Sequence, residues 1–110
     1  MKLLITGCCG HIGSYLVKNI HKIKKVKKTI IIDNFKSTQI NSLFKSKKKS
    51  NLKFYHLDIS KKNTLNKFKN IDYIIHLASM TNAEGSFGKR KEMYKNNIGC
   101  MNNVINFCKV

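Results

Sequence analysis

The residues of this 110-residue chain best placed to do chemistry are three glycines, Gly7, Gly10 and Gly13, and a single acidic residue twenty positions on, Asp33. The glycines lie between Lys2-Leu3-Leu4-Ile5-Thr6, an apolar run that reads as a short buried strand, and Ser14-Tyr15-Leu16-Val17-Lys18-Asn19-Ile20, which reads as a helix. A glycine-rich turn at a helix N-terminus brings backbone N–H groups up to a diphosphate, where the helix dipole favours negative charge. Gly7 permits the tight turn, Gly10 clears space for the pyrophosphate, and Gly13 lets helix and strand pack closely. His11 and Ile12 share the turn and count with it as cofactor-binding positions. A glycine triplet alone is weak, because many loops carry one. The second signal is an acidic residue about twenty positions past the last glycine, at the end of another strand. Thr29-Ile30-Ile31-Ile32 is such a strand and ends at Asp33, whose carboxylate can accept both hydroxyls of an adenosine ribose. That charge repels the extra phosphate of NADP, so NAD is the expected cofactor, although Lys36 lies near enough to weaken the discrimination. A P-loop is excluded, since Gly13-Ser14 lacks the Gly-Lys-Ser/Thr that would hold a triphosphate.

The elements that must position these residues alternate between β-rich apolar segments and helical ones, the pattern of a parallel sheet covered by helices. Strands are expected near 2–6, 28–33, 52–57 and 71–77. Helix one is expected to bury Ile12, Leu16, Ile20 and Ile23, with lysines crowding its C-terminal end. A shorter helix is expected over 38–46, a solvated basic loop over 45–50, and another short helix seated by Leu65 and Phe68. The last helix, about 90–109, places Met93, Asn97, Met101, Val104, Ile105 and Cys108 on one face. An Asn in an apolar stripe needs a hydrogen-bond partner, so Asn97 reads first as a polar plug against a neighbouring backbone.

Composition narrows the classes. Apolar residues make up 42% of the chain, enough for a core, and the length allows one domain or part of one. The net charge of +17 invites a nucleic-acid reading. Yet every basic residue except Arg90 is Lys, and Asn and Ile are abundant too, which suggests an AT-biased coding sequence. Nucleic acid is therefore not the expected partner. The apolar stretch at the N-terminus is shorter than the roughly 7–15 residues of a signal-peptide core, and no run reaches the roughly 20 a membrane span needs. A soluble, cytoplasmic protein with free thiols is expected. Cys8, Cys9 and His11 are close in sequence, but adjacent side chains in a tight turn are expected to diverge, and no second cluster completes a tetrahedron. No metal site is expected.

The spacing Gly-x-x-Gly-x-x-Gly behind Thr6, with Asp58-Ile59 ending a third strand, His76-Leu77-Ala78-Ser79 ending a fourth and Asn97-Ile98-Gly99-Cys100 in the next helix, resembles the extended short-chain dehydrogenase/reductase superfamily. Within it, the chain is similar to the NAD-dependent sugar-nucleotide epimerase/dehydratase family typified by UDP-glucose 4-epimerase, over residues 2 to about 108. The resemblance implies an α/β, Rossmann-like parallel sheet with flanking helices, incomplete at about four strands in the order 3-2-1-4. Residues 1–110 would then form the N-terminal part of an NAD(P)-binding Rossmann domain. It places Asp58 and Ile59 at the adenine ring, and Leu77, Ala78 and Ser79 on the nicotinamide side. Asn34, Ser37 and Thr38 follow the ribose-binding Asp and are candidates for the ribose or its phosphate. Thr81, Asn82 and Ser86 are candidates for a loop facing the nicotinamide and the sugar nucleotide, and Asn97 for support of a catalytic lysine. His76 reads as a structural imidazole rather than a base.

The family's Tyr-x-x-x-Lys pair is missing: Tyr15, Tyr55, Tyr73 and Tyr94 are followed four positions later by Asn19, Ile59, Leu77 and Ile98. No catalytic residue is therefore assigned within the chain, and the chain alone is expected to be inactive. The expectation is the NAD-binding part of an isomerase or lyase acting on a nucleotide sugar, homodimeric in its full-length form. The alternatives are a non-catalytic NAD-binding or regulatory module, a truncated gene product or, least favoured, a basic nucleic-acid binder. A fourth strand left at the sheet edge would leave Tyr73, Ile74 and Ile75 partly uncovered.

Overall fold

The computed structural model describes residues 1–34, 51–80 and 89–109. Four strands form within them: β1 (Lys2–Thr6), β2 (Lys28–Asp33), β3 (Leu52–His56) and β4 (Tyr73–His76). All pair in parallel, in the order β3-β2-β1-β4. Helix α1 (His11–Asn19) follows β1 and runs into a 3-10 turn at Ile20–Lys22, and helix α2 (Arg90–Cys108) follows β4. The four strands and their order match the sequence expectation. β3 and β4 are slightly shorter than expected.

Alternation along β1 and β2 builds two cores, one on each face of the sheet. Leu3, Ile5 and Ile31 face Val17, Ile20 and Val26, together with Cys8 and Cys9. Leu4, Ile30 and Ile32 face Ile59, Leu65, Phe68, Cys100 and Val104. Leu4, Ile5 and Ile32 are sealed from solvent, each worth about 1.5–3 kcal/mol of burial. Covering both faces is what a parallel sheet requires. It also brings all four strand C-termini to one edge, and between β1 and β4 the strand order reverses, opening a crevice there.

Three expectations fail in detail. Helix α1 buries Gly13, Val17 and Ile20 instead of an Ile12–Ile23 stripe, and Ile12 is 70% exposed. The reason is Gly13, which must lie against Gly7 and Cys8. Its packing turns Ile12 one residue, roughly 100°, away from the sheet. Leu16 still packs partly against the core, whereas Ile23 is exposed. Leu65 and Phe68 are buried as expected, but on successive turns rather than a helix. Asn63 adopts a left-handed φ of 66°, which interrupts helical propagation. In α2 the inward face is Asn97, Cys100, Val104 and Phe107, while Met101, Ile105 and Cys108 are exposed. The docking of Asn97 onto the chain after β4 fixes this rotation. The helix expected over 38–46 and the basic loop over 45–50 lie outside the described residues.

One buried group carries a cost. Thr29 is 1% exposed in β2, and its Oγ1 has no hydrogen-bond partner among the described residues. Thr29→Val keeps the shape and removes the stranded hydroxyl, so it should stabilise the fold by about 1 kcal/mol. Thermal melting checks this: the midpoint should rise by roughly 4–8 °C, and a fall would show that the hydroxyl is satisfied.

Candidate dinucleotide site

The site is built at the carboxyl edge of β1 and β2. The Gly7 and Cys8 N–H groups donate to the Ile32 carbonyl, at 2.8 and 3.3 Å, lashing the glycine turn to the end of β2. Gly7 has a φ of +73°, and a Cβ there would lie 2.7 Å from the Ala78 nitrogen and the Leu77 carbonyl carbon. A Cβ at Gly13 would lie 2.1 Å from the Gly7 oxygen. These two glycines are thus demanded by backbone packing against β4 and α1. Gly10 differs: a Cβ there meets only the Gly7 oxygen, at 3.5 Å. It stands at the N-terminus of α1 with no side chain capping the helix and no acidic residue in the first turn. Open space above uncapped N–H groups is what a diphosphate needs, so the residues present fit the group.

Asp33 ends β2 and is buried, and its Oδ2 accepts the Cys9 N–H at 2.9 Å. The ribose-binding candidate and the glycine turn are thereby joined through one hydrogen bond. The Asp33 carbonyl accepts the Leu57 N–H at 3.0 Å, and the Asn34 carbonyl lies 3.2 Å from His56 Nε2. The exits of β2 and β3 therefore run side by side. At the β3 exit, Asp58 Oδ1 accepts the Ser60 N–H and hydroxyl, at 3.0 and 2.6 Å. Ile59 points its side chain into the core beside Leu65 and Cys100, and its carbonyl accepts the Asn103 side-chain amide at 2.7 Å. His11 and Ile12 are exposed on the glycine turn. Ser37, Thr38, Thr81, Asn82 and Ser86, like Lys36, lie outside the described residues.

On the other side of the crevice, Thr6 organises the chain after β4. Its Oγ1 accepts the N–H groups of Leu77 and Ala78, at 3.2 and 3.3 Å, and lies 2.7 Å from His76 Nδ1. Burial holds the His76 imidazole below its ordinary range, which keeps it neutral near pH 7. Its structural reading is the one the geometry supports. Asn97 makes the reciprocal pair expected of a polar plug: its Oδ1 accepts the Met80 N–H at 2.8 Å, and its Nδ2 donates to the Met80 carbonyl at 3.3 Å. Ser79, between these anchors, is exposed. Sequence reasoning missed Thr6 as a hub. The available signal was a hydroxyl residue in an otherwise aliphatic strand.

Cys8 and Cys9 also depart from expectation. Their sulfurs converge to 3.9 Å and lie beside the Asp33 carboxylate, while His11 is exposed. Burial, reinforced by neighbouring negative charge, raises both thiols, Cys9 to about 11 and Cys8 further. Both are protonated at neutral pH.

The sequence model of the 3-beta hydroxysteroid dehydrogenase/isomerase family matches residues 4–110. The chain belongs to this family, within the extended short-chain dehydrogenases/reductases that include NAD-dependent epimerases and dehydratases. It is 35% identical to dTDP-D-glucose 4,6-dehydratase of Dictyostelium discoideum over 98% of its length, covering 26% of that protein. It is 32% identical to UDP-glucose 4-epimerase of Yersinia enterocolitica over 89% of its length, covering 30% of that protein. Among solved structures, UDP-glucuronic acid 4-epimerase from Bacillus cereus, in complex with UDP-glucuronic acid and NAD, superposes with a TM-score of 0.84 at 28% identity. That match takes in 99% of this chain and 36% of the epimerase. A dTDP-glucose 4,6-dehydratase from Streptomyces venezuelae shares the fold with a TM-score of 0.87 at 22% identity, over 96% of this chain and 35% of that one. The chain thus spans about a quarter to a third of the length of these relatives.

Proposed function

We propose that residues 1–110 are the N-terminal, NAD-binding part of a sugar-nucleotide epimerase or dehydratase. The observation that carries this reading is the Asp33 carboxylate, buried at the end of β2 and held 2.9 Å from the Cys9 N–H of the glycine turn. An acceptor for ribose hydroxyls and a cradle for a diphosphate are thereby fixed in one frame. Gly7, Gly10, Gly13, His11 and Ile12 would hold the diphosphate, Asp33 and Asn34 the adenosine ribose, Asp58 and Ile59 the adenine. The backbone of Leu77, Ala78 and Ser79, set by Thr6 and Asn97, would line the nicotinamide side. NAD, when bound, supplies a reversible hydride acceptor for the sugar carbon. This chain's residues bind and orient it. The proton acceptor is the family's Tyr-x-x-x-Lys pair, which the 110 residues do not contain.

The nucleotide sugar and a homodimeric full-length enzyme belong to the same reading. Tyr94, Ile98, Met101 and Ile105 leave an exposed apolar stripe on the outer side of α2, which a second copy would cover. Among the described residues no helix is long and apolar enough to cross a membrane. A non-catalytic NAD-binding module would use the same glycines and Asp33, and differs in giving no turnover even beside a supplied catalytic half.

The test is cofactor choice. Asp33→Ala removes a charged acceptor of hydrogen bonds, each worth about 1.5–3 kcal/mol. NAD binding, followed by calorimetric titration, should weaken by roughly 10–100-fold, and the preference over NADP should narrow. Equal binding of NAD and NADP by the unmutated chain would overturn the assignment.

A further inference from the structure

Cys8 and Cys9 fill the two variable positions between the first glycines, and the dinucleotide reading uses the backbone of the turn and leaves both thiols unused. The Cys8 and Cys9 sulfurs lie 3.9 Å apart, and both are within 4.8 Å of an Asp33 carboxylate oxygen. Two thiolates on one tetrahedral zinc, each at about 2.3 Å, are separated by roughly 3.8 Å. The sulfurs already stand at that edge length. The carboxylate oxygen, within 4.8 Å of both sulfurs, closes on the ion to reach the roughly 2.0–2.2 Å of a zinc–oxygen bond. All three side chains are buried, so their donors are shielded from competing water. We propose that Cys8, Cys9 and Asp33 form a chelating site for a thiophilic divalent cation of the zinc–cadmium class, completed by one water. Thiolate donors select such ions over calcium or magnesium. Capture balances as one divalent ion taken up, two thiol protons released to solvent and the carboxylate already ionised, leaving a site of net charge −1. No oxidation is involved.

A consequence follows for the cofactor, and it rests on the reading of Asp33 as the ribose acceptor. One carboxylate cannot both ligate the ion and hold the ribose hydroxyls, so ion and NAD should oppose each other, and reciprocally.

The experiment titrates the full 110-residue chain with Cd2+ and follows ultraviolet thiolate-to-cadmium charge transfer. One equivalent should saturate the signal at an intensity of two thiolates per ion. Cys8→Ala and Cys9→Ala should each weaken Cd2+ by roughly 100-fold, the share of one donor in a structural zinc site. Asp33→Asn should weaken it while leaving the charge-transfer band in place. If either cysteine variant fails to fold, the double variant Cys100→Ala/Cys108→Ser keeps the test decisive. It leaves Cys8 and Cys9 as the only thiols and should retain the full signal. Loss of the signal in that double variant, or its survival with Cys8 and Cys9 both replaced, overturns the site. NAD titrations with and without saturating Cd2+ read the antagonism. Equal NAD affinity in both conditions removes Asp33 from the ligand set and overturns the proposal as stated. Failure of NAD to bind in either condition overturns the cofactor reading, and the charge-transfer result then decides the metal site by itself.

Discussion

Gly10→Val should abolish NAD binding and leave the fold standing, whereas Gly13→Ala, a smaller change three residues on, should strongly destabilise the fold. The difference lies in what each new Cβ meets. At Gly10 it meets only the Gly7 oxygen at an ordinary 3.5 Å, and the backbone there is extended, with φ −73° and ψ 176°, a conformation that valine adopts freely. The added branches point into the space proposed for the diphosphate. Loss of NAD affinity should exceed roughly 100-fold, or about 2.7 kcal/mol, with the thermal midpoint nearly unchanged. At Gly13 the Cβ would sit 2.1 Å from the Gly7 oxygen and 2.9 Å from the Cys8 Cα. Those are backbone atoms, so no rotamer relieves the clash. Helix α1 must lift from β1 or the turn must break, at about 3 kcal/mol or more out of a typical 5–15 kcal/mol. Paired calorimetric titration and thermal melts check both halves. An unchanged NAD titration in Gly10→Val would show that the loop is only a turn.

The same contrast explains what was legible in the sequence. Gly7, Gly10, Gly13 and Asp33 were readable because each answers a local requirement: a positive φ, an open approach, a close helix, an acidic strand end. Alternating strands and helices made a parallel sheet readable, while the order β3-β2-β1-β4 was legible only through the resemblance to the extended short-chain dehydrogenases/reductases. Helix faces were read less well. Hydrophobic spacing fits both Ile12–Leu16–Ile20 and Gly13–Val17–Ile20 in α1. The deciding contact, Gly13 against Gly7, is tertiary. In α2, Met101 and Ile105 belong to an apolar spacing as regular as that of Cys100 and Val104, but the pair between Asn97 and Met80 selects the rotation. Convergence of the Cys8 and Cys9 sulfurs was illegible for a similar reason. It depends on how the turn is lashed to Ile32 and on the Cys9 N–H reaching Asp33, and neither bond leaves a spacing signature.

Incubated with NAD and a panel of UDP- and dTDP-hexoses, the purified 110-residue chain should yield no epimer, no 4-keto product and no NADH. Hydride removal from a sugar carbon needs a base to take the hydroxyl proton, and a positioned base is worth roughly 10²–10⁴ in rate. Tyr15, Tyr55, Tyr73 and Tyr94 have Asn19, Ile59, Leu77 and Ile98 where a lysine would be needed to lower the phenol pKa. Asn97 cannot replace them. Its amide does not take up a proton at neutral pH, and both of its polar atoms are bound to the Met80 backbone. His76 is neutral and chemically able, but its Nδ1 is 2.7 Å from Thr6 Oγ1, and that hydroxyl also holds the Leu77 and Ala78 N–H groups. Turning the imidazole toward a sugar would break the contact that organises the chain after β4. β4 has β1 on one side and no strand on the other among the described residues, so its open edge should also drive self-association of the isolated chain. Light scattering beside the activity assay reads this directly. Supplying the rest of a relative in trans, with its catalytic segment and substrate domain, should cover that edge and restore turnover together, because the added strand, the Tyr-x-x-x-Lys pair and the sugar-binding part answer the missing functions at once. Sustained turnover by the chain alone, abolished by His76→Ala, would mean that the imidazole is the base and that Thr6 releases it during the reaction.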